Sequence, residues 1–247
     1  MKQERTLIGR GRVSEIYTDG FYAYKTFQDD YPESWKIYEV KIHQEIKHKT
    51  SLRILNYLYL PETWEIQMDV IKGVTLAYRM RTDKYKHGLE DMMDIQKTFY
   101  QFHDLDLPDG YQVFHEDIKQ ANVDETLKDV AYHALSTMER SYELCHCDFH
   151  LDNVLYDGND YIVIDWLHAK RCHRAFDIAR SYLLLKQYVS RKSNIYLRTM
   201  MKDCHIHEDT MSRALIVMAL VRMRELENDP YKEVLKDLII NLKPSIL

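Results

Sequence analysis

The stretch HCDFHLDNVLYDGNDYIVIDW, residues 146–166, carries three polar side chains suited to one chemistry. Asp148 can accept a proton, and the side-chain oxygens of Asn153 and Asp165 are hard ligands that suit Mg²⁺. We expect a loop, a hairpin and a strand end to bring these groups together. Phosphoryl transfer from a nucleotide requires such a set, because it needs a base near the attacking hydroxyl and metal ions that hold the phosphates.

Each of these pieces also has an ordinary structural interpretation. An Asp and an Asn a few residues apart occur in many polar loops, and an Asp that ends a strand commonly caps a helix. The two pieces together are much harder to obtain by chance. A second, distant signature is therefore needed to decide between the interpretations.

The amino-terminal segment LIGRGRVSEIY, residues 7–17, is typical of a strand, a glycine-containing turn and a returning strand. Gly9 and Gly11 have no side chain, so backbone N–H groups near them can approach the oxygens of a polyphosphate. Taken alone the pair is weak evidence, since most such pairs are ordinary hairpin turns.

The strand that follows, FYAYKT at residues 21–26, places Ala23 and Lys25 on one face because strand side chains alternate. A glycine hairpin and an A-x-K strand therefore precede H-x-D-x-x-x-x-N and I-D-W in the same chain. This combination is a much stronger signal than the glycine pair, and it predicts a kinase-like protein.

The motif H-x-D-x-x-x-x-N followed by I-D-W resembles the aminoglycoside phosphotransferase and choline kinase superfamily, and protein kinases use the related H-R-D-x-x-x-x-N and D-F-G. The resemblance implies an α+β, two-lobed protein-kinase-like fold with a small antiparallel-sheet lobe and a larger, mainly helical lobe. It also implies ATP and Mg²⁺ as cofactors and a small hydroxyl-bearing substrate. Asp148 would then be the catalytic residue, and Asn153 and Asp165 would hold the metal.

The resemblance further assigns residues to the nucleotide. Ser14 stands where protein kinases carry their third glycine, and Ile16 stands where they carry the valine that covers adenine. Ala23 is small enough to lie against the base, and Lys25 would reach the α- and β-phosphates.

A lysine at a nucleotide site usually needs a carboxylate that orients it. Glu39 and Glu45 are the candidates, within a helix predicted over Glu33–Lys49 from its apolar spacing. We favour Glu39, which lies on the same stripe as Ile42, although a solvated position remains the alternative for either residue.

We place the smaller lobe at residues 1–71 and the larger lobe at residues 72–247. The segment DVIKG, residues 69–73, resembles the family's hinge, where exposed backbone hydrogen-bonds adenine. That resemblance adds Asp69 and Ile71 to the nucleotide site.

Periodicity and turn residues predict the other elements. Strands are expected over Leu52–Leu60, Thr63–Met68 and Tyr161–Ile164. Helices are expected over Gly88–Leu105, Val123–Leu144, Ser181–Ser190, Asp209–Glu227 and Tyr231–Leu242, with a break at 108–110. Asp177 occupies the family's second aspartate position, where we expect it to cap a helix and brace a loop.

Composition limits the function classes. The chain has 247 residues, 30% of them charged and 45% hydrophobic, and its formal net charge is −5. This charge gives no electrostatic footprint for nucleic acid. No apolar run approaches the roughly 20 residues of a membrane span, and no signal peptide is indicated. We therefore expect a cytoplasmic protein with a small-molecule partner.

Cysteine spacing raises the alternative of a zinc site. Cys145, His146 and Cys147 are consecutive and His150 is near. Neighbouring strand residues point to opposite faces, however, and the spacing differs from the C-x-x-C knuckle of tetrahedral zinc sites. We expect reduced, structural thiols.

The chain departs from the family pattern in several places. Cys147 replaces the usual glycine of H-G-D, and CHR at residues 172–174 replaces G-D-P. I-D-W in place of D-F-G, together with the lack of A-P-E, disfavours a phosphorylation-gated protein kinase. A small atypical protein kinase and a nucleotide-binding pseudokinase that serves as an interaction module remain the alternatives.

The acceptor and the oligomeric state are left open. Glu225, Glu227 and Asp229 would suit a cationic acceptor. They alternate with Arg222 and Arg224, so a solvated helix surface is the favoured interpretation.

Overall fold

An antiparallel sheet of five strands forms the amino-terminal part of the computed structural model, which describes residues 5–11, 13–226 and 229–245. The described strands are β1 Thr6–Arg10, β2 Ser14–Thr18, β3 Tyr22–Phe27, β4 Tyr57–Leu60, β5 Glu65–Asp69, β6 Val74–Thr75, β7 Glu143–Cys145, β8 Val154–Tyr156, β9 Tyr161–Val163 and β10 Lys170–Cys172. The described helices are α1 Glu33–Lys49, α2 Leu76–Arg81, α3 Gly88–Phe99, α4 Gly110–Gln120, α5 Glu125–Ser136, α6 Arg174–Tyr188, α7 Ser190–Asp203, α8 Glu208–Glu225 and α9 Tyr231–Leu242.

The described residues divide into two units. The first lies within Met1–Tyr85 and Leu151–Leu167 and contains the five-stranded sheet. The second lies within Lys86–His150 and His168–Leu247 and is mostly helical. A small antiparallel sheet followed by a mainly helical chain confirms the predicted fold class. The predicted lobe boundary after residue 71 stays a prediction.

The five-stranded sheet has the order β1-β2-β3-β5-β4, and every neighbouring pair is antiparallel. Helix α1 lies between β3 and β4 in the chain and has the predicted bounds. Its last turn carries Lys47 and Lys49, whose positive charges suit the carboxyl end of a helix. Apolar side chains of the sheet, of the segment before β4, of α1 and of β9 share one buried cluster: Ala23, Phe27, Val40, Leu55, Tyr57, Ile66, Met68 and Ile162.

The strand predicted over Leu52–Leu60 begins only at Tyr57. The backbone N–H and the side-chain amide of Asn56 both donate to Asp69 at 2.8 Å, and Lys47 Nζ donates to the Ile54 carbonyl at 3.1 Å. These side-chain contacts occupy backbone groups that a longer strand would use in its ladder.

The hairpin β8–β9 also belongs to the first unit, and its strand β8 pairs with β6. Gly73 precedes β6 at a very close backbone approach, because a Cβ atom there would lie 2.4 Å from the Tyr156 carbonyl oxygen. A glycine is therefore required at the end of the predicted hinge.

Several predicted bounds in the second unit differ from the structure. The helix expected over Val123–Leu144 ends at Ser136, and Glu143–Cys145 form β7, which pairs with β10. The helix expected to reach Leu105 ends at Phe99. Helices α2, α4 and α7 are not among the predicted elements, although α4 and α7 are amphipathic. Helix α4 begins at Gly110, the last residue of the expected break, because Asp109 accepts from Tyr111 N at 2.8 Å and caps it.

Helix α8 is the core of the second unit. All of its residues from Ala214 to Val221 are buried, and it contacts α4, α5, α6 and α9. A helix that is apolar on nearly all sides needs neighbours on all sides. Met211, Met218 and Met223 are buried, as the packing interpretation predicted. Among the described residues, no helix is long and apolar enough to cross a membrane.

Candidate active site

Lys25 is the centre of a charged cluster in the first unit. Its Nζ lies 2.6 Å from Glu39 Oε1 and 3.9 Å from Asp165 Oδ1. Lys25 comes from β3 and Glu39 from α1, and the Glu39 side chain is fully buried. Lys25 therefore pairs with Glu39, the carboxylate that the sequence favoured over Glu45.

The electrostatics of this cluster favour an ionised lysine. Burial opposes the charge on Lys25, but the carboxylates of Glu39 and Asp165 outweigh that effect and place the pKa of Lys25 above its ordinary value. A lysine that stays charged in a nearly buried position is suited to binding phosphate oxygens.

Strand register brings the two predicted metal ligands to one end of a hairpin. Val154 pairs with Val163, and the Ile164 N–H donates to the Asn153 carbonyl at 3.0 Å. Asn153 precedes β8 and Asp165 follows β9, so both residues lie where the hairpin strands end. Asp165 has φ 63°, in the left-handed region that Asp tolerates better than most residues.

The residues at this hairpin end fit a magnesium ion. An amide oxygen and a carboxylate are hard ligands, and 44% of the Asp165 side chain is exposed. Within the described ranges, no group of three or more His, Cys, Asp and Glu side chains could hold a metal. A Mg²⁺ ion bound by Asn153 and Asp165 would therefore take the rest of its shell from water and phosphate, as this ion usually does.

The turn between β1 and β2 holds the predicted phosphate loop. The Gly11 N–H donates to the Ser14 carbonyl at 2.8 Å, which closes the turn. A Cβ atom at Gly9 would lie 3.5 Å from Ile16, which is an ordinary contact, and neither glycine has a left-handed φ. The turn itself therefore does not require these glycines, and their role toward a phosphate stays a prediction.

The predicted adenine-contacting residues lie on or next to the same sheet. Ala23 is buried in the sheet cluster, and Ile16 and Ile71 pack against that cluster. The Asp69 carboxylate is bound by Asn56, so only the backbone near Asp69 is suited to a base. Contact with adenine stays a prediction for all four residues.

Asp148 lies in the loop after β7 of the second unit and contacts a buried arginine. Arg180 Nη2 donates to Asp148 Oδ1 at 3.0 Å, and His150 Nε2 lies 3.9 Å from Oδ2. Burial on its own would raise the pKa of Asp148, but Arg180, His150 and His168 together hold it well below its usual range. The carboxylate is therefore ionised throughout the neutral range.

The loop that carries Asp148 is fixed by Asp177. The Cys147 N–H donates to Asp177 Oδ1 at 2.7 Å, and Gln96 and Tyr100 donate to Oδ2 at 2.8 and 2.9 Å. Asp177 thus braces the loop, as predicted, but it does not cap the helix. His173 is the N-cap residue of α6, and its side chain accepts from Ala175 N.

His146 also supports this loop. Its side chain is fully buried, and its ring lies 5.6 Å from the Phe149 ring and 6.4 Å from the Phe99 ring between centroids. These contacts agree with the interpretation of His146 as a bracing residue rather than a reacting one.

Arg180 was not predicted as a site residue from the sequence, and the interpretation of Glu225 as a solvated surface residue was wrong. Glu225 Oε2 accepts from Arg180 at 2.8 Å and from Arg222 at 2.9 Å, so a solvated surface is the wrong interpretation for it. The available signal for Arg180 was its position directly after the D-x-A pattern of residues 177–179. Arg224 is partly exposed and pairs with Asp117.

The two other acidic acceptor candidates are Asp229 and Glu227. Asp229 accepts from Tyr231 N at 2.8 Å, so it binds the first turn of α9. Glu227 lies outside the described residues.

The cysteines are free thiols in the structure. Cys145, Cys147 and Cys172 are buried, and burial raises the pKa of the Cys145 thiol to about 12. A thiol with such a pKa is protonated at neutral pH, which disfavours the thiolate that metal binding needs.

The similarity of the chain to known proteins agrees with the geometry of the candidate site. Residues 84–199 match the model of the phosphotransferase enzyme family. The predicted superfamily resemblance is confirmed. No protein of curated function matches the chain.

Three solved structures show the fold. A thermostable mutant of aminoglycoside phosphotransferase APH(4)-Ia, in a ternary complex with AMP-PNP and hygromycin B, has a TM-score of 0.68 at 15% identity, over 98% of this chain and 94% of that one. Choline kinase LicA from Streptococcus pneumoniae has a TM-score of 0.63 at 13% identity, over 98% and 94%. ADP-bound aminoglycoside phosphotransferase APH(2'')-Ib has a TM-score of 0.55 at 15% identity, over 98% and 92%.

The backbone of Cys147 generates a prediction for stability. Its φ is 59°, in the left-handed region, where the family carries glycine. Both Cys147→Gly and Cys147→Ala remove the thiol, but only glycine adopts this φ without strain. We expect the alanine variant to be less stable than the glycine variant by about 1 kcal/mol in denaturant unfolding.

Cys145 supplies the matched control, because it is buried in β7 and has no left-handed φ. There the order should reverse, with glycine less stable than alanine by roughly 0.5–1 kcal/mol. The same order at both positions would contradict a left-handed backbone at Cys147.

Proposed function

We propose that the chain is an ATP-dependent phosphotransferase that transfers the γ-phosphate to a hydroxyl group of a small molecule. The observation that carries the proposal is the cluster in which Lys25 Nζ lies 2.6 Å from Glu39 and 3.9 Å from Asp165. In this cluster Lys25, a cation suited to phosphate, lies close to Asp165, a carboxylate suited to Mg²⁺. The match of residues 84–199 to the phosphotransferase enzyme family supports the same reaction class.

In this proposal Lys25 binds the α- and β-phosphates and Glu39 orients it. The turn at Gly9, Gly11 and Ser14 lies against the phosphate oxygens, which can approach closely because the two glycines have no side chain, while the Gly11 N–H stays bound to the Ser14 carbonyl within the turn. Asn153 and Asp165 would hold Mg²⁺, which would neutralise phosphate charge when bound.

In the same proposal, the adenine ring lies against apolar residues of the five-stranded sheet. Ile16 and Ala23 would lie on its face, and the backbone between Asp69 and Ile71 would bind its edge. This arrangement follows the resemblance to kinases, in which a small residue and a branched one cover the base.

Asp148 carries the proton transfer. It orients the acceptor hydroxyl and accepts its proton as the new oxygen–phosphorus bond forms and the bond from the γ-phosphorus to ADP breaks. The low pKa of Asp148 makes it a weak base, but transfer through a loose transition state depends mainly on positioning and charge stabilisation.

The related structures support a small acceptor without naming the one used here. The structure of APH(4)-Ia contains AMP-PNP and hygromycin B, and LicA is a choline kinase. Lys25, Asp148, Asn153 and Asp165 are all present in this chain, which disfavours a pseudokinase. We propose the cytoplasm as the location, since the reaction consumes ATP.

The first prediction of this proposal concerns turnover. Asp148→Ala should lower ATP-dependent phosphorylation of an acceptor by at least about 100-fold, the usual contribution of a general base, while nucleotide affinity stays nearly constant. The measurement is ATP consumption across a panel of hydroxylated metabolites and aminoglycosides, with calorimetry of ATP binding in parallel.

Asp94→Asn is the control, because this aspartate is an exposed residue of α3. Unchanged turnover in Asp148→Ala would remove Asp148 from the mechanism. Phosphate transfer to protein, in place of a small acceptor, would favour the protein-kinase alternative.

The second prediction concerns the metal. Asp165→Asn removes a charge from the proposed Mg²⁺ shell, so it should weaken ATP binding in the presence of Mg²⁺ more than in its absence. Calorimetry of both forms with and without Mg²⁺ measures the difference.

Asp157→Asn is a matched control in the same hairpin, where Asp157 pairs with Arg53 at 2.6 Å. Its effect should be equal in the two conditions. Equal losses in Asp165→Asn would mean that Asp165 is a structural residue and that the metal lies elsewhere.

A further inference from the structure

Arg180 joins two carboxylates that are distant in the sequence. It lies on α6 in the second unit, and 6% of its side chain is exposed. Its Nη2 donates to Asp148 Oδ1 at 3.0 Å and to Glu225 Oε2 at 2.8 Å. A single buried nitrogen therefore links the loop of the proposed base to the last residue of α8.

Glu225 is itself held in place. Arg222, one turn earlier on α8, donates to the same Glu225 oxygen at 2.9 Å. The other terminal nitrogen of Arg222 donates to Gln187 Oε1 on α6, also at 2.9 Å. Two arginines thus fix Glu225 between α6 and α8, the two central helices of this unit.

This arrangement is suited to orienting a carboxylate. The guanidinium group is planar and always charged, and the two N–H bonds of Nη2 have fixed directions in its plane, so a partner on one N–H fixes the direction of the other. A buried guanidinium needs carboxylate partners, since an unpaired buried charge is strongly destabilising. Small displacements of a reacting group lower rates strongly.

We propose that Arg180 and Glu225 are positioning residues for Asp148. Glu225 fixes the guanidinium group of Arg180, and Arg180 holds the Asp148 carboxylate in the orientation that proton transfer requires. The inference rests on the proposed function, in which Asp148 is the base. It also gives Glu225 a role other than recognition of a cationic acceptor.

The charges around Asp148 determine what each substitution should do. Within the second unit, Arg180 on α6, His150 in the same loop and His168 face the carboxylate, and burial opposes its ionisation. Without Arg180, Asp148 would lose its closest cation and keep Glu225 as a neighbouring like charge, which raises a carboxylate pKa. Without Glu225, the charge of Arg180 would remain and only its orientation would be lost.

The experiment compares pH profiles of kcat for Arg180→Gln, Glu225→Gln and the double variant. Arg180→Gln should lower kcat at least tenfold and move the acid limb upward by roughly 1–3 pH units, the usual effect of one nearby opposite charge. Glu225→Gln should lower kcat without an upward move of the limb. KM for ATP should stay unchanged in both single variants.

Two further variants separate positioning from folding. Arg224→Gln is the matched control, because Arg224 is on the same helix as Glu225 and pairs with Asp117 at 2.9 Å. It should leave kcat and the pH profile unchanged. Glu225→Asp keeps the charge and should recover part of the kcat lost in Glu225→Gln, which a general loss of stability would not allow.

A second measurement does not depend on turnover. Titration of the Asp148 carboxyl carbon by ¹³C NMR, assigned with Asp148→Asn, should show a higher midpoint in Arg180→Gln than in the wild type or in Arg224→Gln. Equal midpoints, or an unmoved acid limb in Arg180→Gln, would overturn the positioning role. Full turnover in Asp148→Ala would instead remove the base, and with it the proposed function.

Discussion

The buried ion pair between Lys25 and Glu39 is the constraint on which the first unit depends. Moving an ion out of water costs several kcal/mol, and removal of one partner of a buried pair costs roughly 3–5 kcal/mol. Strand β3 and helix α1 must therefore pack so that both charges meet, at 2.6 Å. The hairpin end at Asp165 lies close to the same lysine. The buried pair thus holds Lys25 close to the partly exposed carboxylate of Asp165. A cation next to such a carboxylate is suited to a polyphosphate that carries a metal ion.

The second unit follows the same principle with a different cation. Arg180 is buried and is shared by Asp148 and Glu225. Because its charge must be balanced, the loop after β7 and the end of α8 are held to one helix. The proposed base therefore takes its position from helix packing as well as from its own loop. Left-handed backbone at Cys147 and the buried carboxylate of Asp177 fix the rest of that loop.

Sequence motifs predicted the residues of the candidate site, and periodicity predicted part of their placement. Lys25 and Asp165 were assigned from the resemblance to kinase motifs, strand alternation put Ala23 and Lys25 on one face, and helical spacing favoured Glu39. The roles of these residues toward a nucleotide stay predictions. The Arg180–Glu225 pair could not be predicted, because it joins residues 45 apart through the packing of two helices. The predicted start of a strand at Leu52 was wrong, because side-chain contacts bind the Ile54 carbonyl and the Asn56 N–H, which a longer strand would use in its ladder.

The most direct test of the account is nucleotide binding by Lys25→Met, measured by calorimetry with ATP and with adenosine. Lys36→Met is the control, because Lys36 is a buried lysine of α1 whose Nζ lies over the Phe27 and Trp64 rings. If Lys25 binds phosphates, its variant should lose ATP affinity and keep adenosine affinity, while the control keeps both. In a Lys25→Met variant that is shown to be folded by circular dichroism, an equal loss of ATP and adenosine affinity would contradict the account, since Lys25 would then serve only the fold.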